Sequence, residues 1–598
     1  MKEFLTGNEA IALGALEAGV SYACAYPGTP STEILETLAQ YKDEIVAEWG
    51  ANEKVALEAA IGASIAGARS LSAMKMVGVN VASDALLTVA YSGITGGLVL
   101  VSADDPGLHS SQNEQDNRYY AKFGKVAMFE PSDSQECLDM LKEAYEVSER
   151  FETPVLFRVT TRICHSKSVV VRGERIPERQ IPYRKNLAKY DLIPAVSRRL
   201  HYVLEDRLQA LAAYSNTCRF NVAEYHDRHI GIVASGVAYQ YAKEVFGERA
   251  SYFKVGFSNP MPMEQLRAFA AEVETLYVIE ELEPFMEEQL RAAGIACIGK
   301  EKIPICGELN HAILAKALLG EETRCMDCDT SAVAARPPVL CAGCPHRGFY
   351  YALAKYRNVV ISGDIGCYSL GGIDPLNAKD FEICMGSSSS VAHGAQVVFD
   401  RFGNDRRVVA TMGDSTFFHT GINSLINAIY NNSRVISVIL DNRITGMTGH
   451  QENPGSGATL QGAPSTIMDI ERIVRALGYS HVWTINPLDL TAVKQAIDNA
   501  LDHDGPSVIV TRWPCALKKF SEADLSEFGQ AMGGKCTVNE AKCTGCEFCL
   551  KTGCPAIRFD RQTQKAHVDE VQCTGCSVCT QVCWTGAIAD QEVVECAK

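Results

Sequence analysis

Residues 407–444 read RVVATMGDSTFFHTGINSLINAIYNNSRVISVILDNRI. The apolar run Arg407–Met412 has the make-up of a buried strand and ends in Gly413-Asp414-Ser415. A helical pattern follows over Ile422–Tyr430, then a second apolar run, Arg434–Leu440, that ends in Asp441-Asn442-Arg443-Ile444. A strand–helix–strand unit returns the chain to a neighbouring parallel strand. Asp414 and Asn442, 28 residues apart, therefore arrive at adjacent strand ends, where open parallel sheets bind their ligands. Two oxygen-bearing side chains at that edge suit Mg2+, which takes hard oxygen donors and bridges them to phosphates. Gly413 lets a diphosphate approach the backbone. A Gly-Asp-Ser triplet alone is most often a plain turn.

Two more strands flank this pair, Asn358–Ser362 and Ser507–Thr511, within an α/β region over about 339–520. Four cysteines fall at the same edge. Cys367 closes Gly363-Asp364-Ile365-Gly366-Cys367, Cys515 closes Arg512-Trp513-Pro514-Cys515, and Cys341 and Cys344 precede a helix near Gly348. Spacing leaves two readings open, a four-thiolate cluster or a free CxxC turn beside two core cysteines. Cys325 and Cys328 form another CxxC with no evident role.

Further upstream, the first 180 residues alternate helix and strand. Thr6-Gly7-Asn8-Glu9 is a capping box ahead of a helix over Ala10–Ala18. Ser21–Ala25 and Leu98–Ala103 read as strands, a helix begins near Glu33, and Asn52 starts a small-residue helix. Residues 165–225 are charged and proline-broken and read as a connector. A second α/β pattern has strands His229–Ala234 and Leu276–Glu280. Residues 321–338 read as a linker. No repeat of solenoid period occurs.

Ten of the 23 cysteines lie between Cys536 and Cys596. The runs are Cys543-x2-Cys546-x2-Cys549-x4-Cys554 and Cys573-x2-Cys576-x2-Cys579-x3-Cys583. A triple CxxCxxC run wraps three corners of a 4Fe-4S cube, and the fourth thiolate comes from the other run. The sets are then Cys543, Cys546, Cys549 and Cys583, and Cys573, Cys576, Cys579 and Cys554. Zinc also uses CxxC pairs, but triple runs with distal partners suit it poorly. The tail is similar to a bacterial two-cluster ferredoxin, from which it departs by the extra residue before Cys554.

Composition bounds the rest. The chain has 598 residues, 47% hydrophobic and 21% charged, a folded balance spread over several domains. A net charge of -16 argues against nucleic acid or an anionic membrane as partner. No uncharged apolar run reaches a membrane span, and Glu3, Glu9 and Glu17 break any signal-peptide core. The expectation is a cytoplasmic protein with reduced thiols. No clean GxGxxG marks a dinucleotide site.

These motifs together resemble the 2-oxoacid:ferredoxin oxidoreductases, and within them the large subunits of the indolepyruvate branch. The resemblance rests on Tyr26-Pro27-Gly28-Thr29-Pro30-Ser31-Thr32-Glu33, on Glu48-Trp49 followed by Asn52-Glu53-Lys54-Val55-Ala56-Leu57-Glu58, and on Ser102-Ala103-Asp104-Asp105-Pro106-Gly107. It rests further on Ser110-Ser111-Gln112-Asn113-Glu114-Gln115-Asp116, on Cys341-x2-Cys344-Pro345-His346-Arg347 and on Gly413-Asp414-Ser415, and it runs essentially end to end. It implies a pyrimidine-binding thiamine domain over 1–180, a connector and small α/β domain over 181–330, a diphosphate-binding domain over 331–530 and a ferredoxin domain over 531–598.

The implied reaction is oxidative decarboxylation of an aryl 2-oxoacid, indolepyruvate, with coenzyme A, with electrons passing to ferredoxin. The same chemistry on pyruvate, 2-oxoglutarate or a branched-chain 2-oxoacid, or a non-oxidative decarboxylation, is the alternative. The implied cofactors are thiamine diphosphate, Mg2+ and three 4Fe-4S clusters. By resemblance Asp414 and Asn442 hold Mg2+ through side chains and Ile444 through its carbonyl, with Ser415 standing where relatives often carry glycine. Gly366, Cys367, Met385, Gly386, Gly413 and Ser415 line the cofactor, and Cys341, Cys344, Cys367 and Cys515 hold the proximal cluster. Residue chemistry leaves Glu48, Glu53 and Glu58 open as the glutamate that activates the aminopyrimidine. The family pattern picks Glu53, nine residues before Gly62. By the same resemblance Thr29, with Pro30, falls on the loop near the substrate carboxyl or carbonyl. A gamma-type domain is not found in the chain, so a small beta subunit and an α2β2 assembly are expected.

Overall fold

A computed structural model describes residues 1–322, 329–331, 333–334, 337–529 and 534–590, and the chain divides into two compact units, 1–329 and 330–598. Cys325, Cys328 and Cys596 lie outside the described residues.

The first unit is built on a seven-stranded sheet. Its order is Phe257–Asn259, Ala127–Phe129, Val155–Thr160, Leu98–Asp104, Ser70–Lys75, Tyr22–Ala25 and Val46–Trp49. All pairings are parallel except that of Phe257–Asn259 with Ala127–Phe129. Both faces are covered, so the central strand Leu98–Asp104 is buried at every position. The helix Gly7–Glu17 starts on the expected capping box, with Thr6 and Glu9 bonding each other's backbone. The helix Glu53–Ile65 is capped by Asn52, whose Oδ1 accepts from Val55 N at 2.9 Å.

Residues 181–329 fall in this same unit. A second sheet there runs Thr275–Ile279, Ile230–Ala234, Ser251–Lys254 and Val222–Glu224. The strand Phe257–Asn259 leaves it to join the edge of the larger sheet. The segment 165–225 is no bare connector. Lys167–Val171 pairs antiparallel with Lys2–Thr6, and Pro194–Ser215 is a 22-residue helix. That helix buries Leu200, Leu204 and Leu211, an apolar spacing masked in sequence by the charges between them. Its buried Arg207 donates to Ala90 O at 2.8 Å.

The second unit carries a five-stranded parallel sheet, ordered Val359–Ser362, Arg407–Gly413, Ile436–Asp441, Ser507–Arg512 and Val482–Ile485. Four of these strands are legible in sequence; Val482–Ile485 is the addition. Tyr350, Leu353, Val493 and Ile497 pack with Val409, Val438 and Ile509 in one core cluster, and Phe417, Leu425, Ile470 and Val474 with Ile439 and Val510 in another. Beyond it, Cys536–Val538 pairs with Ile588–Asp590, and Ile557–Asp560 with Lys565–Val568. Among the described residues no helix is long and apolar enough to cross a membrane.

Candidate active site

The strands Arg407–Gly413 and Ile436–Asp441 are direct parallel neighbours, with Gly413 opposite Leu440. Asp414 and Asn442 therefore leave the sheet side by side, each the first residue past its strand. Asp414 is buried, and Asn453 Nδ2 donates to its Oδ2 at 3.0 Å. Burial, then the nearby Asp441 carboxylate, push Asp414 well above the usual carboxylate range. Asp441 is placed differently, because Arg443 and Arg512 both reach its Oδ2, at 3.3 and 3.0 Å. Arg443 has φ +61, and the Ile444 N–H that follows donates to Asn442 Oδ1 at 3.2 Å. A buried carboxylate with an amide partner, beside an amide oxygen, is a hard-oxygen donor set short of positive charge. That set fits Mg2+.

Gly366 and Gly413 share one neighbour. A Cβ on Gly413 would lie 2.6 Å from the Tyr368 ring, and one on Gly366 2.3 Å. Tyr368 OH donates to Ile365 O at 2.6 Å and lies 2.6 Å from Thr416 Oγ1. The space that Gly413 leaves is thus filled by a tyrosine that ties the Cys367 loop to the helix after Asp414. The sequence gives no sign of Tyr368.

Asp364 is the other residue that sequence reasoning passes over. Fully buried, it accepts from Gly386 N at 2.7 Å, Ser388 N at 2.8 Å and Ile365 N at 2.8 Å. Burial pushes it up to about 6 in spite of these donors. Asp364 thereby fixes the Met385-Gly386-Ser387 segment against the Cys367 loop. Gly386 is required there: its φ is +84, and a Cβ would sit 1.9 Å from Thr420 Oγ1. The available signal is a carboxylate two residues past the strand Val359–Ser362.

The four cysteines of this edge gather around the same corner. Burial pushes Cys344 up to about 12 and Cys367 up to about 11, and Cys515 adds to both shifts. Cys515 is raised by burial, with Cys341 and Asp414 contributing. Cys515 N donates to Asn442 O at 3.0 Å. His346, next but one to Cys344, is buried and pushed down to about 4 by burial. Its Nε2 lies 3.3 Å from Asn442 Nδ2, and its Nδ1 is buried with no hydrogen-bond partner.

In the first unit the structure separates the three candidate glutamates. Glu58 is exposed and pairs with Lys54, and Glu48 is exposed and accepts from Tyr22 OH at 2.8 Å. Glu53 is buried at the first turn of its helix. Gly78 makes room for it, since a Cβ there would lie 2.7 Å from Glu53 Cγ. Lys75 is lowered by burial, against the attraction of Asp105 and Glu53. Lys75 Nζ donates to Ser110 O at 2.9 Å, and Ser110 Oγ donates to Thr29 O at 3.2 Å. Thr29, Lys75, Glu53 and the Ser110 loop thus form one connected patch.

In the tail, burial raises Cys549 to about 11, with Cys546, Cys583 and Cys543 next to it. Burial raises Cys576 to about 11, with Cys554, Cys536 and Cys573 beside it. The first grouping also lines a cavity together with Gly545 and Phe548. Cys549 thus has Cys583 of the other run near it, and Cys576 has Cys554 of the other run near it, together with Cys536. Cys536 Sγ donates to Asp590 Oδ1 at 3.3 Å. Among the described residues no group of three or more His, Cys, Asp or Glu side chains is arranged to hold a single metal ion.

Comparison with known proteins decides the family. Residues 13–197 match the pyruvate flavodoxin/ferredoxin oxidoreductase thiamine diphosphate-binding family, and residues 364–511 match the C-terminal thiamine pyrophosphate-binding domain of thiamine pyrophosphate enzymes. Indolepyruvate oxidoreductase subunit IorA of Pyrococcus horikoshii is 41% identical over 98% of this chain and 96% of its own length. The chain belongs to the 2-oxoacid:ferredoxin oxidoreductase family. The IorA subunit of Archaeoglobus fulgidus is 40% identical over 94% of the chain and 93% of its own length. A ketoisovalerate oxidoreductase subunit, VorB, of Methanothermobacter marburgensis is 24% identical over 49% of the chain and 90% of its own length. Both thiamine-binding folds of the family are therefore present, and both matched segments contain the patches described above: Glu53 and Thr29 in the first, Asp414 and Asn442 in the second.

Proposed function

We propose that this chain is the large catalytic subunit of an enzyme that oxidatively decarboxylates an aryl 2-oxoacid, indolepyruvate, with coenzyme A. The products are an arylacetyl-CoA, CO2, one proton and two electrons destined for ferredoxin. The observation that carries the reading is the buried Asp414 beside Asn442 at adjacent strand ends, with four cysteines gathered at the same corner.

Bound thiamine diphosphate supplies the carbon centre at which a 2-oxoacid loses CO2 and gives up electrons. The chain's own residues hold and orient it. Asp414 and Asn442 would bind Mg2+ through side-chain oxygens and Ile444 through its carbonyl. Gly366, Cys367, Met385, Gly386, Gly413 and Ser415 would line the cofactor, with Asp364 and Tyr368 fixing those loops. Glu53 would hold the proton at the aminopyrimidine ring nitrogen, a role that suits a buried carboxylate. Thr29, anchored through Ser110, would meet the substrate carboxyl.

Cys341, Cys344, Cys367 and Cys515 would hold a proximal 4Fe-4S cluster. The tail would hold two more, on Cys543, Cys546, Cys549 and Cys583 and on Cys573, Cys576, Cys579 and Cys554. We assign 1–180, 181–330, 331–530 and 531–598 as the pyrimidine-binding, small α/β, diphosphate-binding and ferredoxin domains. A small beta subunit completing an α2β2 enzyme, external ferredoxin and a cytoplasmic location belong to the same reading.

The test is anaerobic co-purification with the small subunit, followed by ferredoxin reduction over a panel of 2-oxoacids with coenzyme A. Fastest turnover on an arylpyruvate is expected. Faster turnover on pyruvate or a branched-chain acid would overturn the substrate, and aldehyde release without ferredoxin reduction would overturn the oxidative reading.

A further inference from the structure

The two cysteine runs of the tail differ by one residue: four residues separate Cys549 from Cys554, three separate Cys579 from Cys583. In the second run the stretch Val578–Val582, just before Cys583, is a short α-helix. In the first the stretch Phe548–Thr552 is a 3-10 turn, closed by Gly553 at φ +66. The Thr552–Gly553 corner meets the diphosphate-binding half of the second unit. A Cβ on Gly553 would lie 3.0 Å from Pro375 Cδ and 3.2 Å from Arg347 Nη1.

Arg347 is 2% exposed; its two Nη nitrogens donate to backbone carbonyls, and its Nε is buried without a hydrogen-bond partner. Its Nη1 donates to Thr552 O at 2.8 Å, and its Nη2 donates to Cys341 O at 2.9 Å and to Leu340 O. Thr552 is itself held by its hydroxyl, which donates to Cys549 O at 2.7 Å. The second run is anchored in the same way. Gln581 Nε2 donates to Leu488 O at 2.7 Å, and Gln581 Oε1 accepts from Leu490 N at 2.9 Å. Val582 joins the apolar cluster of Tyr351, Leu353 and Val493. The anchors Thr552 and Gln581 each stand two residues before the last cysteine of their run, Cys554 or Cys583, the cysteine that would complete the other run's set.

We propose that Arg347 and the inserted residue before Cys554 form a strut that fixes the tail cysteine sets against the Cys341/Cys344 set for passage of electrons between them. The proposal rests on the three-cluster reading above. A guanidinium is planar and presents its donors in a rigid fork, so one buried side chain fixes the angle as well as the distance between two segments, Thr552 on one side and Leu340–Cys341 on the other. Lysine, a point charge on a flexible stem, cannot hold both. The inserted residue supplies the corner that reaches Arg347, and Gly553, with no side chain, leaves the room beneath it. For each electron passed, the donor cluster is oxidised by one and the acceptor reduced by one. The electrons come from the 2-oxoacid, and Arg347 changes no bond. It is a positioning residue.

The test uses the anaerobic holoenzyme with its small subunit. Arg347→Lys is expected to keep wild-type thiamine binding and about 12 iron atoms per chain, the content of three cubes. Hydrogen exchange over 549–554 should rise at least about tenfold, magnetic interaction between the reduced clusters should weaken in the paramagnetic resonance spectrum, and ferredoxin reduction should slow about tenfold. Substrate-driven reduction of the Cys341 set in a single turnover should keep its rate. Gly553→Ala should move the same readouts in the same direction, and it carries the test if Arg347→Lys fails to fold. Full iron with unchanged exchange, unchanged magnetic interaction and unchanged ferredoxin reduction would overturn the strut. A wild-type content of about eight irons would instead overturn the proximal cluster, and exchange over 549–554 would still test the docking.

Discussion

The cysteines of the tail and those of the sheet edge are delivered in different ways. In the tail, eight come from two short runs in which neighbouring cysteines are three to five positions apart. At the sheet edge, four come from three loops separated by 23 residues between Cys344 and Cys367 and by 148 between Cys367 and Cys515. The parallel strands bring these loops together, because Val359–Ser362, Arg407–Gly413, Ile436–Asp441 and Ser507–Arg512 all end at one edge. A local set depends on its own backbone. A set assembled by topology depends on whatever holds the loops: Tyr368 and Asp364 on the Cys367 side, His346 and the Asn442 backbone on the others.

The largest effect expected from this difference is on Asp414. Asp414→Asn removes the one carboxylate of the proposed cation site and leaves every tail residue untouched. Mg2+-dependent thiamine diphosphate binding should be lost, and turnover should fall on the order of a thousandfold, the scale of a lost metal-ion contribution. Tail iron and its spectrum should stay intact. Calorimetric titration with the cofactor and iron analysis on the same preparation check both halves. Tail iron lost together with cofactor binding would break the comparison.

The second effect is on iron count. Cys367→Ala should remove about four of about 12 irons per chain, and Cys576→Ala about four others. The two losses should differ in consequence. Cys576→Ala breaks a set in which the remaining run still folds on its own spacing. Cys367→Ala loosens the loop next to Gly366 and Met385, so thiamine binding should weaken as well. Equal cofactor affinity in the two variants would show that the sheet-edge loop stands without its cysteine.

The same difference explains what was legible beforehand. The tail pairing is a reading of spacing alone, since both runs lie within one short stretch of chain. The helix Ile422–Tyr430 and the capping box at Thr6 are local signals and lie where periodicity and cap chemistry put them. The edge strand Val482–Ile485 is half exposed and four residues long, so alternation has no room to declare itself. Phe257–Asn259 is three residues long, and only its pairing with the larger sheet makes it a strand. Among the glutamates, sequence offers three, and burial singles out Glu53 because Gly78 lies across from it on a separate helix. Tyr368 and Asp364 act across loops, so no local pattern announces them.

The smallest effect tests the support of the sheet-edge set, at Asp364. Its folded value, about 6, lies above the ordinary 3.8, because burial disfavours the charge more than three N–H donors favour it. The folded protein therefore holds the proton more tightly than the unfolded chain between those values. Asp364 contributes most at low pH, and its contribution declines as pH rises from about 4 to about 6, then levels off. The decline is on the order of 3 kcal/mol. Asp364→Asn cannot ionise and should lack this slope, while placing an amide against one of the three N–H groups. Hydrogen exchange at Gly386 and Ser388 measures it: the wild-type segment should open more readily from pH 4 to pH 6, relative to the variant, and no further above that. Turnover of the variant should drop about tenfold, less than for Asp414→Asn, since the loop is displaced and no proposed ligand is removed. A wild-type segment with no pH dependence relative to the variant would mean that the Asp364 proton is not what couples the Cys367 loop to Met385 and Gly386.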